Sequence, residues 1–356
     1  MNKIMKTIAL TVAAGSVLAS CAKWTETEPI KVTYETIQTK NPELYAKYLQ
    51  SLRDFRTEEH PVLIAKFDNV PTVPAARSEH INALPDSIDY VVLTNSAEVS
   101  DAMVAEAAQI EEQKGILTLA EVDLEGFAGA YTAMIDAEQV AYEALEEPTE
   151  ADVPVDTPER FESFVTPKVE AALKGADKIG ALYVVFSARN PYTWSEEKKA
   201  EVASVQSILF AKVNEWLAAH SDALVIFEGV PGHIVCETEV VNRARYIVVP
   251  AYSATNGQSL TYEVLNAIFA SPEMPTDRVV IGVATLDPYD DAATDGIFYD
   301  GGSAIEGAAE WCVVPEQEFT KKGVCVSHSQ FGYYGKENVY AEIGKAIAIM
   351  NPSISK

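Results

Sequence analysis

This chain is short of cysteine, short of positive charge and, beyond its first twenty residues, without a long apolar run. Four cysteines in 356 residues, none in a C-x-x-C pair, exclude a disulfide-built scaffold and a cysteine-ligated zinc site. Whether Cys312 and Cys325 bridge across a hairpin stays open. Against 53 Asp and Glu there are 27 Lys and Arg, a net charge of −26. Such a surface repels phosphate backbones and anionic head groups, so nucleic acid is not the partner. No Gly-rich loop follows any apolar run, which argues against a nucleotide-binding, doubly wound sheet. The five histidines are scattered, with no Ser or Cys placed for a nucleophilic triad. The acidic run DPYDDAATDG at 287–296 lacks the spacing of a helix-loop-helix calcium site. No metal and no cofactor is expected. What is present, 48% apolar and 22% charged residues, is the composition of a folded globular chain.

The leader is distinctive. Lys3 and Lys6 precede an apolar stretch from Ile8 to Leu18 and small residues up to Cys21, the pattern of a secretory signal over residues 1–20. Leu18-Ala19-Ser20-Cys21 resembles the bacterial lipobox, in which cleavage precedes a cysteine that carries diacylglycerol. That implies a membrane anchor at Cys21 without a spanning helix. The residues after it, Ala-Lys-Trp-Thr-Glu-Thr-Glu, lack an acidic cluster immediately following the cysteine, so the membrane face stays open. Residues 21–58 read as a tether plus a capping helix, because Leu44, Tyr48, Leu52 and Phe55 of PELYAKYLQSLRDF fall at helical spacing.

From residue 59 onward short apolar runs recur: 62–67, 89–94, 115–122, 180–187, 223–228, 245–252 and 278–285, with AAEWCVV at 308–314 as an eighth. Continuous hydrophobicity marks strands buried on both faces, the habit of parallel sheets covered by helices. Helical patterns lie between them, at 97–114, 164–174, 196–220, 259–270 and 337–350. Strand and helix alternate about eight times, which predicts an α/β fold: a single-domain (β/α)8 TIM barrel over 59–356. An acidic, Pro-containing insertion at about 140–162 interrupts the rhythm and reads as a solvated excursion.

In such a barrel the site lies at the C-terminal strand ends. The residues there are Lys66, Phe67 and Asp68; Glu121, Asp123 and Glu125; Ser187, Arg189, Asn190, Tyr192 and Trp194; Glu228 with His233; Tyr252 with Asn256; Asp287 with Tyr289; and Trp311. Aromatics interleaved with carboxylates and amides suit a carbohydrate, whose C–H faces pack on rings while its hydroxyls take directed hydrogen bonds. The binding candidates are Trp194, Tyr192, Tyr252, Trp311, Glu228, Asp287, Tyr289 and Asp123.

HPVLIAKFDN, DSIDYVVLTN, QKGILTL, IVVPAYS, DRVVIGVAT and the ending IGKAIAIMNPS stand in an order and spacing that resembles the family-18 glycoside hydrolases over roughly residues 30–356. The resemblance is to chitinase and endo-β-N-acetylglucosaminidase barrels and to their lipoprotein relatives in Bacteroides-type glycan-utilisation loci. It implies a strand-four signature D-G-x-D-x-D-x-E, whose Glu protonates the leaving oxygen and whose last Asp orients the substrate's N-acetyl group; that amide then acts as nucleophile, outside the two-carboxylate scheme. Laid on GALYVVFS, the three Asp positions fall on Gly180, Tyr183 and Val185, and the Glu position on Ser187. A serine supplies no proton at neutral pH. A rival placement on LAEVDLEG makes Glu125 the acid and Asp123 its partner. The resemblance also places Tyr252 at the family's strand-six tyrosine and Trp311 at its sugar-flooring tryptophan. The expectation is a non-catalytic, lipid-anchored outer-membrane protein that holds GlcNAc-containing oligosaccharides such as N-glycans for a glycan importer or partner glycosidase. The competing expectation is an active endo-acting hydrolase using Glu125.

Overall fold

The structure, a computed structural model, describes residues 37–352 apart from 147–148, 151–152, 291 and 335–337. The expected leader and Cys21 lie outside the described residues. The chain forms two compact units, one ending at Tyr48 and the other running from Leu49 to the C-terminus. In the first, the Asn41 side chain accepts the Leu44 N–H at 3.1 Å, capping the start of helix α1 (Pro42–Phe55).

In the second unit, eight parallel strands close in sequence order into a barrel: β1 (Val62–Phe67), β2 (Tyr90–Leu93), β3 (Leu117–Asp123), β4 (Ala181–Phe186), β5 (Leu224–Gly229), β6 (Ile247–Pro250), β7 (Val279–Ala284) and β8 (Lys321–Ser327). The strands are buried on both faces because one set of side chains fills the barrel and the alternate set packs on helices. Ile64, Val92, Leu119, Tyr183, Ile226, Val248, Val280 and Cys325 make the inner core. Leu63, Val91, Ala120, Val184, Phe227, Val249, Ile281 and Val324 join the larger core beneath the helices.

The helices are α2 (Asp101–Lys114), α3 (Leu124–Glu143), α4 (Pro158–Ile179), α5 (Glu196–Ala219), α6 (Val240–Arg243), α7 (Gly257–Ala270), α8 (Ala304–Val313) and α9 (Ala341–Met350). Their starts follow capping chemistry: Ser100, Thr157, Ser195, Asn256 and Ser303 each accept a first-turn N–H. At the opposite end of the barrel Arg53 donates to the Gln113 carbonyl and Arg56 to those of Asp86 and Ile88, each at 2.6 Å. The end of α1 is thereby fixed beside the segments that lead into β2 and β3.

Two expectations need correction. AAEWCVV is not the eighth strand: residues 304–313 are helix α8, and β8 is KKGVCVS. The connection between β3 and β4 is mostly helical, with α3 and α4 leaving only 144–157 between them. The three described cysteines carry free thiols. Cys325 lies in the inner core and Cys312 in the outer one, so the hairpin bridge left open by the sequence does not form. Among the described residues no helix is long and apolar enough to cross a membrane.

Candidate active site at the barrel mouth

Side-chain parity on β1, β3, β4 and β5 decides what the mouth contains. On β1, Val62, Ile64 and Lys66 point inward; on β3, Leu117, Leu119, Glu121 and Asp123; on β5, Leu224, Ile226 and Glu228. Each series runs from apolar to ionisable toward the C-terminal end. Register then sets Glu121 beside Tyr183, Asp123 beside Val185, and Val185 beside Glu228. Gly229 closes β5 at φ 144°, where an added Cβ would stand 1.9 Å from the Phe186 carbonyl oxygen. That glycine lets the ends of β4 and β5 remain paired next to Glu228.

The centre of the mouth is a buried charged cluster. Lys66 Nζ donates to Glu228 Oε2 at 2.7 Å and stands 2.8 Å from Glu121 Oε2, an ion-pair contact without hydrogen-bond alignment. Tyr183 donates its hydroxyl to Glu228 Oε2 at 2.7 Å, and Tyr252 donates to Glu228 Oε1 at 2.5 Å. Burial opposes the charge on Lys66, yet the Glu228 and Glu121 carboxylates outweigh it and hold the ammonium well above the ordinary lysine value. Burial likewise opposes ionisation of Glu228, but Lys66 and the two tyrosine hydroxyls hold it below the usual range. Glu121 receives less help: burial and the neighbouring Glu228 push it up to about 7 against the pull of Lys66. At neutral pH the cluster therefore contains one ammonium, one ionised carboxylate and one carboxyl group that exchanges its proton.

Above the cluster the rim is polar. Asp68 accepts from Thr94 Oγ1 at 2.7 Å, from His328 Nδ1 at 2.6 Å and from Gln330 Nε2 at 2.5 Å. Burial works against the Asp68 charge, but these donors outweigh it and hold the carboxyl low, while the same contact raises His328. Asp123 ends β3 and caps α3, accepting the Gly126 N–H at 2.8 Å. Burial raises its pKa. Glu125, in the first turn of α3, is half-buried and raised by burial and by Asp123.

The sequence-proposed residues divide accordingly. Glu228, Tyr252, Asp123 and Glu125 belong to the mouth. His233 does not pair with Glu228, whose oxygens are taken by Lys66, Tyr183 and Tyr252. Tyr192 is 77% exposed, at a ring distance of 6.2 Å from Phe269, and Trp194 is half-buried just beyond it. Asp287 accepts the Tyr289 N–H at 2.8 Å, and Tyr289 is 74% exposed. Trp311 is away from the strand ends, because the residue lies in α8. Its N–H donates to Thr261, its ring stacks on Phe319, and the Lys321 ammonium lies over it at 4.2 Å. It lines a groove of about 640 Å³ between α7 and α8.

Sequence reasoning missed Lys66 and Tyr183 as members of the central cluster, and Phe331 and Tyr334 on the rim. For Lys66 the signal was a lone lysine at an inward position of an otherwise apolar strand, which demands a buried counter-charge. On β4, Tyr183 and Val185 do face inward, Gly180 is the left-handed residue (φ 85°) that ends α4, and Ser187 is exposed. The inward positions of β4 carry no carboxylate.

Comparison with known proteins agrees with this architecture. No curated protein matched the chain. Among solved structures, a variant of BT1044 superposes with a TM-score of 0.56 at 15% identity, covering 89% of this chain and 96% of the other. An endo-β-N-acetylglucosaminidase from Cordyceps militaris superposes with a TM-score of 0.52 at 14% identity, covering 86% and 96%. The family model of BT1044-like members of glycoside hydrolase family 18 matches residues 25–349, nearly the whole chain, and the protein belongs to that family.

Proposed function

We propose that this protein is a non-hydrolysing, oligosaccharide-binding member of the family. One observation carries the reading: the inward face of β4 offers Tyr183 and Val185 where the family signature needs carboxylates, and the acids of the neighbouring strands, Glu121 and Glu228, are held against Lys66. Glu228, locked to a buried ammonium, is neither a ready proton donor nor a free base, and Glu121, which does exchange its proton, is buried beside the same ammonium at 7% exposure. The rim carboxylates of Asp68, Asp123 and Glu125 remain as partners for sugar hydroxyls. The captured ligand is a GlcNAc-containing oligosaccharide such as an N-glycan, in keeping with the endo-β-N-acetylglucosaminidase among the similar structures. The lipobox at Cys21 supports anchoring in a bacterial outer membrane beside a glycan importer or partner glycosidase.

Calorimetry on the purified protein with a biantennary or high-mannose N-glycopeptide, followed by mass spectrometry of the same sample, tests the reading. Binding with the chitobiose bond intact is the expected result, and release of the cleaved glycan overturns it. Labelled palmitate incorporated by the wild type and lost in Cys21→Ala checks the anchor.

A second reading, hydrolysis with Glu125 as acid, is favoured by its raised pKa and by the carboxylate of Asp123 two residues before it, a pairing suited to general acid chemistry. On that reading the wild type cleaves, and Glu125→Gln abolishes cleavage while leaving binding in place.

A further inference from the structure

Resting on the reading that the mouth receives an oligosaccharide, we propose that Tyr289, Phe331 and Tyr334 form a stacking platform for a neutral pyranose, with the Asp68 carboxylate reading its hydroxyls. The platform is built from the segments that follow β7 and β8. Tyr289 meets Phe331 edge-on at 6.2 Å and Tyr334 at 6.3 Å, and Phe331 stacks on His328 at 5.6 Å. Tyr289 is 74% and Tyr334 52% exposed, so large ring surfaces stay in water although they touch one another. Exposed aromatic surface gathered in one place marks a binding site more often than it serves stability.

What covers these rings follows from the groups beside them. Gln330 and His328, on the same segment, donate to Asp68, and the Ser329 hydroxyl donates to the Lys66 carbonyl at 2.7 Å. The aromatic patch is thus fixed to the end of β1, directly above the buried lysine. An apolar partner would leave Asp68 desolvated beside it, whereas a pyranose presents C–H faces to the rings and hydroxyl donors to an ionised, acceptor-only carboxylate. A sugar carrying its own carboxylate would meet Asp68, Asp123 and Asp287 across the mouth and be repelled.

A separate observation concerns the backbone. Among the described residues, His328 (φ 52°) and Tyr340 (φ 55°) are the two non-glycine residues with positive φ, and they bracket the platform segment. A bulky side chain in the left-handed region costs free energy and persists where surrounding contacts hold it. Here the Asp68 pair holds His328, while the bond between Ser78 Oγ and Tyr334 OH at 2.8 Å holds the far ring.

The test is calorimetric titration of the full chain with asialo and sialylated forms of one biantennary N-glycopeptide. Tyr289→Ala, and Tyr289→Ala combined with Tyr334→Ala, are expected to weaken binding of the asialo form at least ~tenfold with an unchanged thermal midpoint. Tyr289→Phe, which keeps the ring, should bind as wild type, as should Tyr262→Ala on the outer helix α7. The sialylated form should bind the wild type more weakly than the asialo form. If the wild type binds and the double alanine variant binds equally well, the platform is wrong while glycan capture stands. A wild type that binds neither glycopeptide sinks both, and tighter binding of the sialylated form overturns the neutral-sugar assignment.

Discussion

Strand β4 and the two strands beside it face the same interior with opposite chemistry. At its upper end β4 turns a tyrosine and a valine inward, while β3 and β5, at the same levels, turn Glu121, Asp123 and Glu228. Acid is therefore still present where the family signature would put it, displaced by one strand to either side. What differs is its environment. The flanking carboxylates come with Lys66 and two tyrosine hydroxyls, a set that satisfies charge internally rather than presenting it to a substrate. The same residue types at almost the same place serve packing or chemistry according to whether a counter-charge is buried with them.

That contrast can be broken most severely at Lys66. Lys66→Met leaves Glu121 and Glu228 buried without a cation and should cost about 3–5 kcal/mol. Chemical denaturation at several pH values checks it, and the loss should shrink in acid as the carboxylates protonate. The next largest effect is the pH dependence due to Glu121. Its folded pKa, about 7, lies above the ordinary 4.5, so between these values the folded state holds a proton that the unfolded state has released. Stability from this group therefore falls as pH rises from about 4.5 to about 7 and levels off above, by up to ~1.4 kcal/mol per pH unit. Glu121→Gln should flatten that part of the profile. His60, whose pKa is raised by Asp89 and not by Glu121, cancels in the difference, whereas His328 is raised mainly by Asp68 and in smaller part by Glu121, so its contribution falls slightly in the variant.

Returning a carboxylate to β4 sharpens the comparison. Val185→Asp sets a third acid between Asp123 and Glu228 and is expected to destabilise by about 1–3 kcal/mol, read as a fall in the denaturation midpoint. The smallest effect should come from Tyr183→Phe. It removes one of three donors to Glu228 and costs about 0.5–1.5 kcal/mol, with the Glu228 carboxyl moving upward in a titration followed by NMR.

Much of the barrel was legible in the sequence because β1 to β7 are continuous apolar runs, and burial on both faces leaves that trace directly. The run VLIAKF is β1 to the residue. The eighth strand left no such trace: Lys321, Lys322 and Gly323 open it, and the more apolar AAEWCVV took its place although it is an amphipathic helix. That single misplacement carried Trp311 to the mouth and hid Phe331 and Tyr334, which follow the true β8. Glu228, Asp123 and Tyr252 were legible because strand-end position and parity are local properties. The roles of Lys66 and Tyr183 were not, since they depend on partners 162 and 45 residues away: the lone inward lysine announces that a counter-charge is needed, not which residue supplies it.

One corner of the mouth has no loop at all. Asp123 is the last residue of β3 and the N-cap of α3, with Leu124 already helical. Strand and helix are thus a single rigid elbow whose joint is a rim carboxylate. Inserting even one residue there would move the cap, the twenty-residue helix and the rim together. On the opposite side Tyr289, Phe331 and Tyr334 stand on segments that separate the ends of β7 and β8 from the next α-helices, so a change of length there need not displace a helix.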